Sequence, residues 1–223
     1  MANTAGLCNT FKTDLMNGVH AFSIATGGKV AADTFYGALF LATATLDART
    51  TSYTTTGEVS VTGTYAAGGQ AITNIVATTG TATISTTALT VASGTGIANN
   101  MGVSGVGIVP GTYVVSGGGT TSLVLSVAVT AALSTTAVYF NAPAMVASGT
   151  TPFTGTTYWT PSGSMTWTGV TITGFDTMLI YNSTVSSKNA VGVFTFSAQS
   201  ITSGTFTLTM PVNNSTAGLI RVA

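Results

Sequence analysis

Thr205-Phe206-Thr207-Leu208-Thr209-Met210 alternates hydroxyl and apolar side chains without a break. Successive side chains of a strand point to opposite faces, so Phe206, Leu208 and Met210 share one side and the threonines the other. Ala190 to Phe196 has the same period, with Phe194 and Phe196 together on one side. Working outward, aromatic-rich strands are predicted at Tyr139-Phe140, Tyr158-Trp159, Met165 to Ile172 and Phe175 to Tyr181. Asn182-Ser183-Thr184 and Asn213-Asn214-Ser215 supply turns between them. Nearer the start, Phe35 to Leu46 is apolar and Thr-rich, and Asp47 to Thr56 reads as a polar loop. Glu58 to Thr64 alternates with Val59 and Val61 on one face, and a turn at Ala67 to Gln70 leads to a strand from Ala71 to Ala77. Leu219 to Ala223 runs extended, and so apolar an end is expected to add a strand to its own sheet or to a neighbour's.

One helix interrupts this pattern. It is predicted over residues 9–22: from Leu7 just before it, Phe11, Leu15 and Val19 follow every four positions, with Met16 and Phe22 widening the apolar face. Asn9 or Thr10 is suited to cap its start. A helix this short must dock to persist, on its own sheet or on a neighbouring subunit.

Residues 79–138 have a different texture, uncharged and short of large aromatics. Strands are expected at Thr83 to Ser85 and Leu89 to Val91, and a glycine-punctuated loop at Met101 to Thr112. A hairpin of Tyr113 to Ser116 and Ser122 to Ser126 turns around Gly117 to Gly119. The flanking segments read as consecutive strands of one meander, which makes 79–138 an inserted small β module and 1–78 with 139–223 its host. The expected fold is all-β: an antiparallel β-sandwich or jelly-roll-like domain with a short N-terminal helix and that insert.

Between Glu58 and Asp176 there is no Asp, Glu, Lys, Arg or His, and the chain is 4% charged with a net charge of zero. Sheets guard their edges with charge, lysine above all, and soluble monomers usually keep a net charge of one sign. With 45% apolar residues the chain is nonetheless a folding one. Its apolar runs are too short and too interrupted to span a membrane, and no signal peptide is visible. Lys12, Lys29, Arg49, Lys188 and Arg221 are scattered, so no basic stripe tracks nucleic-acid phosphates. Cys8 is alone and reads as a small buried apolar residue.

The candidates for chemistry are few. His20 is the one histidine, and no G-x-S-x-G elbow accompanies it. One His and one Cys fall short of a zinc ligand set. A glycosidase pair must be drawn from Asp14, Asp33, Asp47, Glu58 and Asp176, where Asp176 reads as a turn residue and Glu58 as a solvated strand start. Gly102, Gly105 and Gly107 mimic a phosphate loop, but no lysine and no helix follow. The Asn182 and Asn214 sequons mean little without a secretory route. No catalytic residue, cofactor or metal is expected.

The opening Met1-Ala2-Asn3-Thr4-Ala5-Gly6-Leu7-Cys8-Asn9-Thr10-Phe11-Lys12 and Asn17-Gly18-Val19-His20 resemble the start of small virion proteins of tailed bacteriophages. So do Ala38 to Leu46, Tyr53 to Val59 before Gly68-Gly69, Leu179 to Ser183, Ala190-Val191, Gly204 to Thr207 and Ile220 to Ala223. The resemblance covers residues 1–77 and 140–223, while the middle resembles a mobile β module that recurs in phage structural proteins. It implies a structural virion component and offers no active-site residues. The expected role is a capsid-bound decoration (cement) protein in the virion, in contact with the major capsid protein. The alternative is a neck, tail or fibre component that meets host glycans through Tyr113, Trp159 or Trp167. Self-association is expected, a trimer being common on icosahedral shells. Assembly contacts are expected at Leu7, Phe11, Leu15, Val19 and Phe22 and at Leu219, Ile220 and Val222.

Overall fold

The computed structural model describes residues 2–22, 32–72, 76–148 and 154–222. In chain order its elements are β1 (Gly6–Leu7), α1 (Asn9–Met16), β2 (Phe35–Leu41), β3 (Gln70–Ala71), β4 (Val76–Ala82), β5 (Ala88–Val91), β6 (Gly102–Gly105) and β7 (Val114–Ser116). There follow β8 (Ser122–Leu125), β9 (Leu133–Ala142), β10 (Ala144–Ser148), β11 (Thr154–Trp159), β12 (Met165–Asn182), β13 (Ala190–Leu208) and β14 (Ile220–Val222). The fold is all-β, and the strands pair antiparallel throughout the three sheets.

The chain forms two compact units. The first joins Met1–His20, Asp33–Ile72 and Gly163–Thr209, and the second joins Ala21–Ala32, Thr73–Ser162 and Met210–Ala223. The expected insert 79–138 is the body of the second unit. That unit also takes residues 139–162 and 210–223, which the sequence placed in the host. The reason is pairing: β9 returns beside β4, from Val76 opposite Phe140 to Ala82 opposite Leu133.

In the first unit the sheet order is β1-β13-β12-β2-β3. Strand β12 alternates from Met165 to Ile172 and is then buried on both faces from Thr177 to Asn182. Its hairpin partner β13 keeps Thr205 and Thr207 exposed and Phe206 inside, as the alternation predicts. Trp167 stacks on Phe206 at 5.9 Å, and Phe175 meets Phe206 edge-on at 4.8 Å. The sequence reads Gly174 and the 197–204 stretch as breaks, yet both strands run on. The ladder absorbs extra residues at slips between Trp167 and Val170, Val170 and Ile172, Thr173 and Phe175, and Phe175 and Thr177.

Helix α1 packs on β13 through Phe11. It stops at Met16, short of the expected residue 22, because Asn17 leaves helical geometry and Gly18 turns into the left-handed region at φ 66°. Its N-cap is Cys8, not Asn9 or Thr10, and makes no side-chain cap; the Asn9 N–H donates to the Ala48 carbonyl at 2.8 Å and the Phe11 N–H to the Cys8 carbonyl at 3.1 Å. Residues 58–64 form only isolated bridges, so Val59 is buried while Val61 is 67% exposed, not on a shared face.

In the second unit a six-stranded sheet has the order β6-β9-β4-β5-β8-β7. Its edge strands meet: Gly102 bridges Tyr113, the Val103 N–H donates to the Thr112 carbonyl at 2.7 Å, and the Val114 N–H to Met101 at 2.9 Å. The curl encloses Leu89, Val91, Val103, Val114, Leu123 and Phe140 among a larger aliphatic core. The expected loop at Met101 to Thr112 therefore contains β6, held in place by β9. Thr83 to Ser85, expected as strand, is the turn between β4 and β5, with Ser85 at φ 63°. The predicted hairpin at Gly117 to Gly119 is present as β7 and β8. A smaller sheet, β10-β11-β14, places the chain end on its own unit, with Ile220 opposite Trp159.

Candidate functional site

Two polar clusters occupy the first unit. Glu58 follows a tight turn and sits opposite Phe40 of β2. One carboxylate oxygen accepts from the Tyr53 hydroxyl at 2.6 Å; the other accepts from Tyr65 at 2.8 Å and the Gly68 N–H at 2.7 Å. It is thus no solvated strand start. Tyr181 stacks on Tyr53 at 4.7 Å and donates to the Gly68 carbonyl, while the Lys188 ammonium lies 5.0 Å above the Tyr53 ring. Burial, reinforced by the Glu58 carboxylate, raises the Tyr53 and Tyr65 phenols well above their usual range and pushes Tyr181 up to about 12. Neutral phenols donating to one charged carboxylate form a satisfied network, with strong charge-assisted bonds.

The second cluster surrounds His20, which is buried beyond the end of α1 between Phe11 and Phe35. The Asn182 amide Oδ1 accepts from the Thr184 N–H, which orients its Nδ2 toward Asp33 Oδ2 at 2.8 Å and His20 Nδ1 at 3.0 Å. A nitrogen that faces an amide donor must accept, so the imidazole proton sits on Nε2, the nitrogen 3.5 Å from Asp14 Oδ2. Asn189 donates to the same Asp14 oxygen at 2.7 Å. His20 and Asp33 lie at the two points where the chain leaves and re-enters this unit, so one amide pins both.

The other sequence candidates are placed as follows. Asp176 lies within β12, not in a turn, and accepts from Asn3 Nδ2 at 2.8 Å and Thr177 Oγ1 at 2.6 Å. Strand β2 runs between it and Glu58, since Phe40 bridges Glu58 on one side and pairs with Thr177 on the other. Glu58 and Asp176 are thus held apart, each bound to its own donors. Asp47 pairs with Arg49 on the surface, and the hydrogen bonds from Arg49 hold its carboxyl below the usual range. Cys8 is fully buried, and burial followed by the charge of Asp47 pushes its thiol up to about 12. Among the described residues no cluster of His, Cys, Asp and Glu is arranged to hold a metal ion.

Of the expected assembly residues, Phe11, Phe22 and Ile220 are core. Phe22 packs edge-on against Trp159 at 5.0 Å. Leu7, Val19 and Leu219 are half-buried, whereas Leu15 and Val222 are exposed. The largest exposures among the large apolar residues fall elsewhere, at Met16 (90%), Val106 (75%) and Val61 (67%). A groove of about 710 Å³ on the second unit is lined by Ser104, Val106, Pro110, Tyr139 and Met145 and contains no charged side chain. Sequence reasoning missed the tyrosine cluster, although Tyr53, Glu58, Tyr65 and Gly68 are close enough in the chain to have signalled it. Asn182, read as a turn residue, and Asn189 gave no such signal.

No protein-family model, curated protein or solved structure matches this chain. Among the described residues no helix is long and apolar enough to cross a membrane.

Proposed function

We propose that this chain is a structural component of a tailed-bacteriophage virion, bound to the capsid as a decoration (cement) protein and working through subunit contacts rather than catalysis. The observation that carries the reading is the nearly uncharged exterior of the second unit, where hydroxyl and aliphatic side chains stand in place of ionised ones. Arg221 is the sole Asp, Glu, Lys or Arg among the described residues of the second unit, while Val106, Val212 and Ile84 stand more than half exposed there. Such a surface gains from being covered by fixed neighbours and has little with which to steer a charged substrate. The resemblance of both chain ends to small virion proteins points the same way. The partners in this reading are the major capsid protein and further copies of the chain.

A neck, tail or fibre position is the second reading. Its glycan-binding form rests on Tyr113 alone, which is half-buried, because Trp159 and Trp167 are buried in the cores at 2% and 0% exposure and cannot stack on a sugar. Protein–protein contact at another place in the particle is the stronger form of this reading. Labelling the protein in purified virions and locating it by electron microscopy decides between them. Hundreds of copies over the shell support the decoration role and a few at one vertex the neck or tail. Absence from the particle overturns both.

A further inference from the structure

We infer that Asn17 is a site of spontaneous covalent modification, where the side-chain amide is lost as ammonia and an aspartyl or isoaspartyl residue takes its place. Asn17-Gly18 is the one Asn-Gly step in the chain; every other asparagine is followed by Thr, Ile, Asn, Met, Ala or Ser. The difference is a Cβ. Gly18 has none, so its backbone nitrogen can close on the Asn17 side chain with no substituent in the way. Both residues are exposed, and a Cβ added at Gly18 would meet nothing within 4 Å. The Asn17 amide makes no hydrogen bond among the described residues, whereas Asn141 and Asn182 are buried and bonded. Water is the one co-reactant. The Gly18 nitrogen forms a bond to Asn17 Cγ, its proton leaves with the amide nitrogen as ammonia, and a cyclic imide remains. Water then adds to one imide carbonyl and breaks the C–N bond there. Opening at Cγ gives aspartate; opening at the main-chain carbonyl gives isoaspartate, with the backbone routed through the side chain.

The fold sets both the pace and the consequence. The Gly18 N–H donates to the Leu15 carbonyl at 3.2 Å and the Val19 N–H to Asp14 at 2.9 Å. These are the two bonds of a Schellman cap, and the first must open before the nitrogen can attack. Leu15 and Met16 are exposed, so little apolar contact holds this last turn, and it opens as helix ends fray. The product places a carboxylate at the C-terminal end of α1, where the helix dipole opposes it. Asp14 stands one turn back on the same face, with its Oδ2 bonded to Asn189 and 3.5 Å from His20 Nε2. The new charge therefore bears on the cluster around His20, and the iso form adds a methylene to the main chain between α1 and that residue. None of this depends on a place in the virion.

The test is ageing of the folded full chain at mildly alkaline pH, warmed but below its thermal midpoint, read by intact mass, peptide mapping and enzymatic methylation of isoaspartate. Asn17→Gln and Gly18→Ala are aged beside it, with circular dichroism verifying that each folds. The wild type is expected to gain the mass of an amide-to-acid conversion in the peptide carrying Asn17 before any other asparagine changes. Asn17→Gln should stay unmodified there, and Gly18→Ala should react at least about tenfold more slowly, because its Cβ obstructs ring closure. Gly18→Ala strains a left-handed residue at φ 66°; where it fails to fold, Asn17→Gln carries the comparison. Asn17→Asp, which brings the charge alone, should lower the thermal midpoint by about 1–4 °C. An aged wild type that gains no mass at Asn17 overturns the proposal, most plainly where the urea-unfolded chain does gain it, since the closed turn then seals the site. So does a gain that maps first to another asparagine, or an Asn17→Gln chain that ages like the wild type.

Discussion

Glu58 gathers three donors onto one carboxylate, and its energetic weight follows from that count. Hydrogen bonds to a charged acceptor contribute about 1.5–3 kcal/mol, and an amide in its place cannot accept from all three. Glu58→Gln should therefore lower stability by about 2–3 kcal/mol in denaturant titration, whereas Tyr53→Phe, which removes one bond at the half-buried rim, should cost less. Equal effects would mean that the carboxylate is not the hub. Cys8 makes a second prediction at this scale. Its thiol is raised from 9.0 to about 12, chiefly by burial. Between those values the unfolded chain has lost a proton that the folded chain keeps, so stability is undiminished below pH 9 and falls as the pH climbs toward 12. Thiol reagents at pH 8 should leave the native protein unlabelled and label it fully in denaturant. Replacing Cys8 with Ala should remove the earliest part of the alkaline decline; the tyrosines, raised above 10, supply the later part. Little of this was legible beforehand. The buried character of Cys8 could be read from its type and isolation. For the network around Glu58 the close spacing of Tyr53, Glu58, Tyr65 and Gly68 was the one local signal, and its closure depends on the turn at Ala66 to Gly69 bringing the Gly68 N–H back to the carboxylate.

Among the elements, legibility tracked local periodicity. Thr205 to Leu208 and Ala190 to Phe196 announce strands because their pattern is complete within a few residues. Strand β6 announces nothing, since its glycines mimic a loop and only β9, some thirty residues away, gives it a place. The meeting of β6 with β7 was hidden too, because the glycine-punctuated stretch between them reads as one loop. Gly102 makes the pairing of β6 with β9 spatially demanding: a Cβ there would lie 2.0 Å from the Ala142 carbonyl oxygen, a backbone atom that cannot swing aside. Gly102→Ala should destabilise the second unit by about 1–3 kcal/mol, as overpacking does. Gly163 has nothing within 4 Å of its own added Cβ, so Gly163→Ala is the matched control and should change stability by less than about 0.5 kcal/mol. Thermal unfolding of the pair checks this. Equal midpoints would mean that the closure of the six-stranded sheet yields without cost.

For the whole molecule, the scarcity of charge raises the question of what keeps the strands from uncontrolled pairing. Each unit answers it with geometry. The outermost strands of the five-stranded sheet, β1 and β3, are two residues long, and the six-stranded sheet turns until its edges bond to each other. The long β12–β13 hairpin is slipped at several points, which bends an edge away from a flat template. Main-chain edges are thus largely spent inside the chain, and what stays available for association is aliphatic side chain. That distinction has a measurable consequence. Contacts made by charge weaken steeply as salt rises, because the Debye length shrinks from about 30 Å at 0.01 M to about 3 Å at 1 M. Contacts made by apolar burial do not, and they weaken on cooling because their driving force near 25 °C is entropic. Self-association measured by light scattering should accordingly hold or strengthen from low salt to molar NaCl and decline between room temperature and the cold. A loss of association with salt would instead move the contact to the first unit, where Lys12, Arg49 and Lys188 stand exposed.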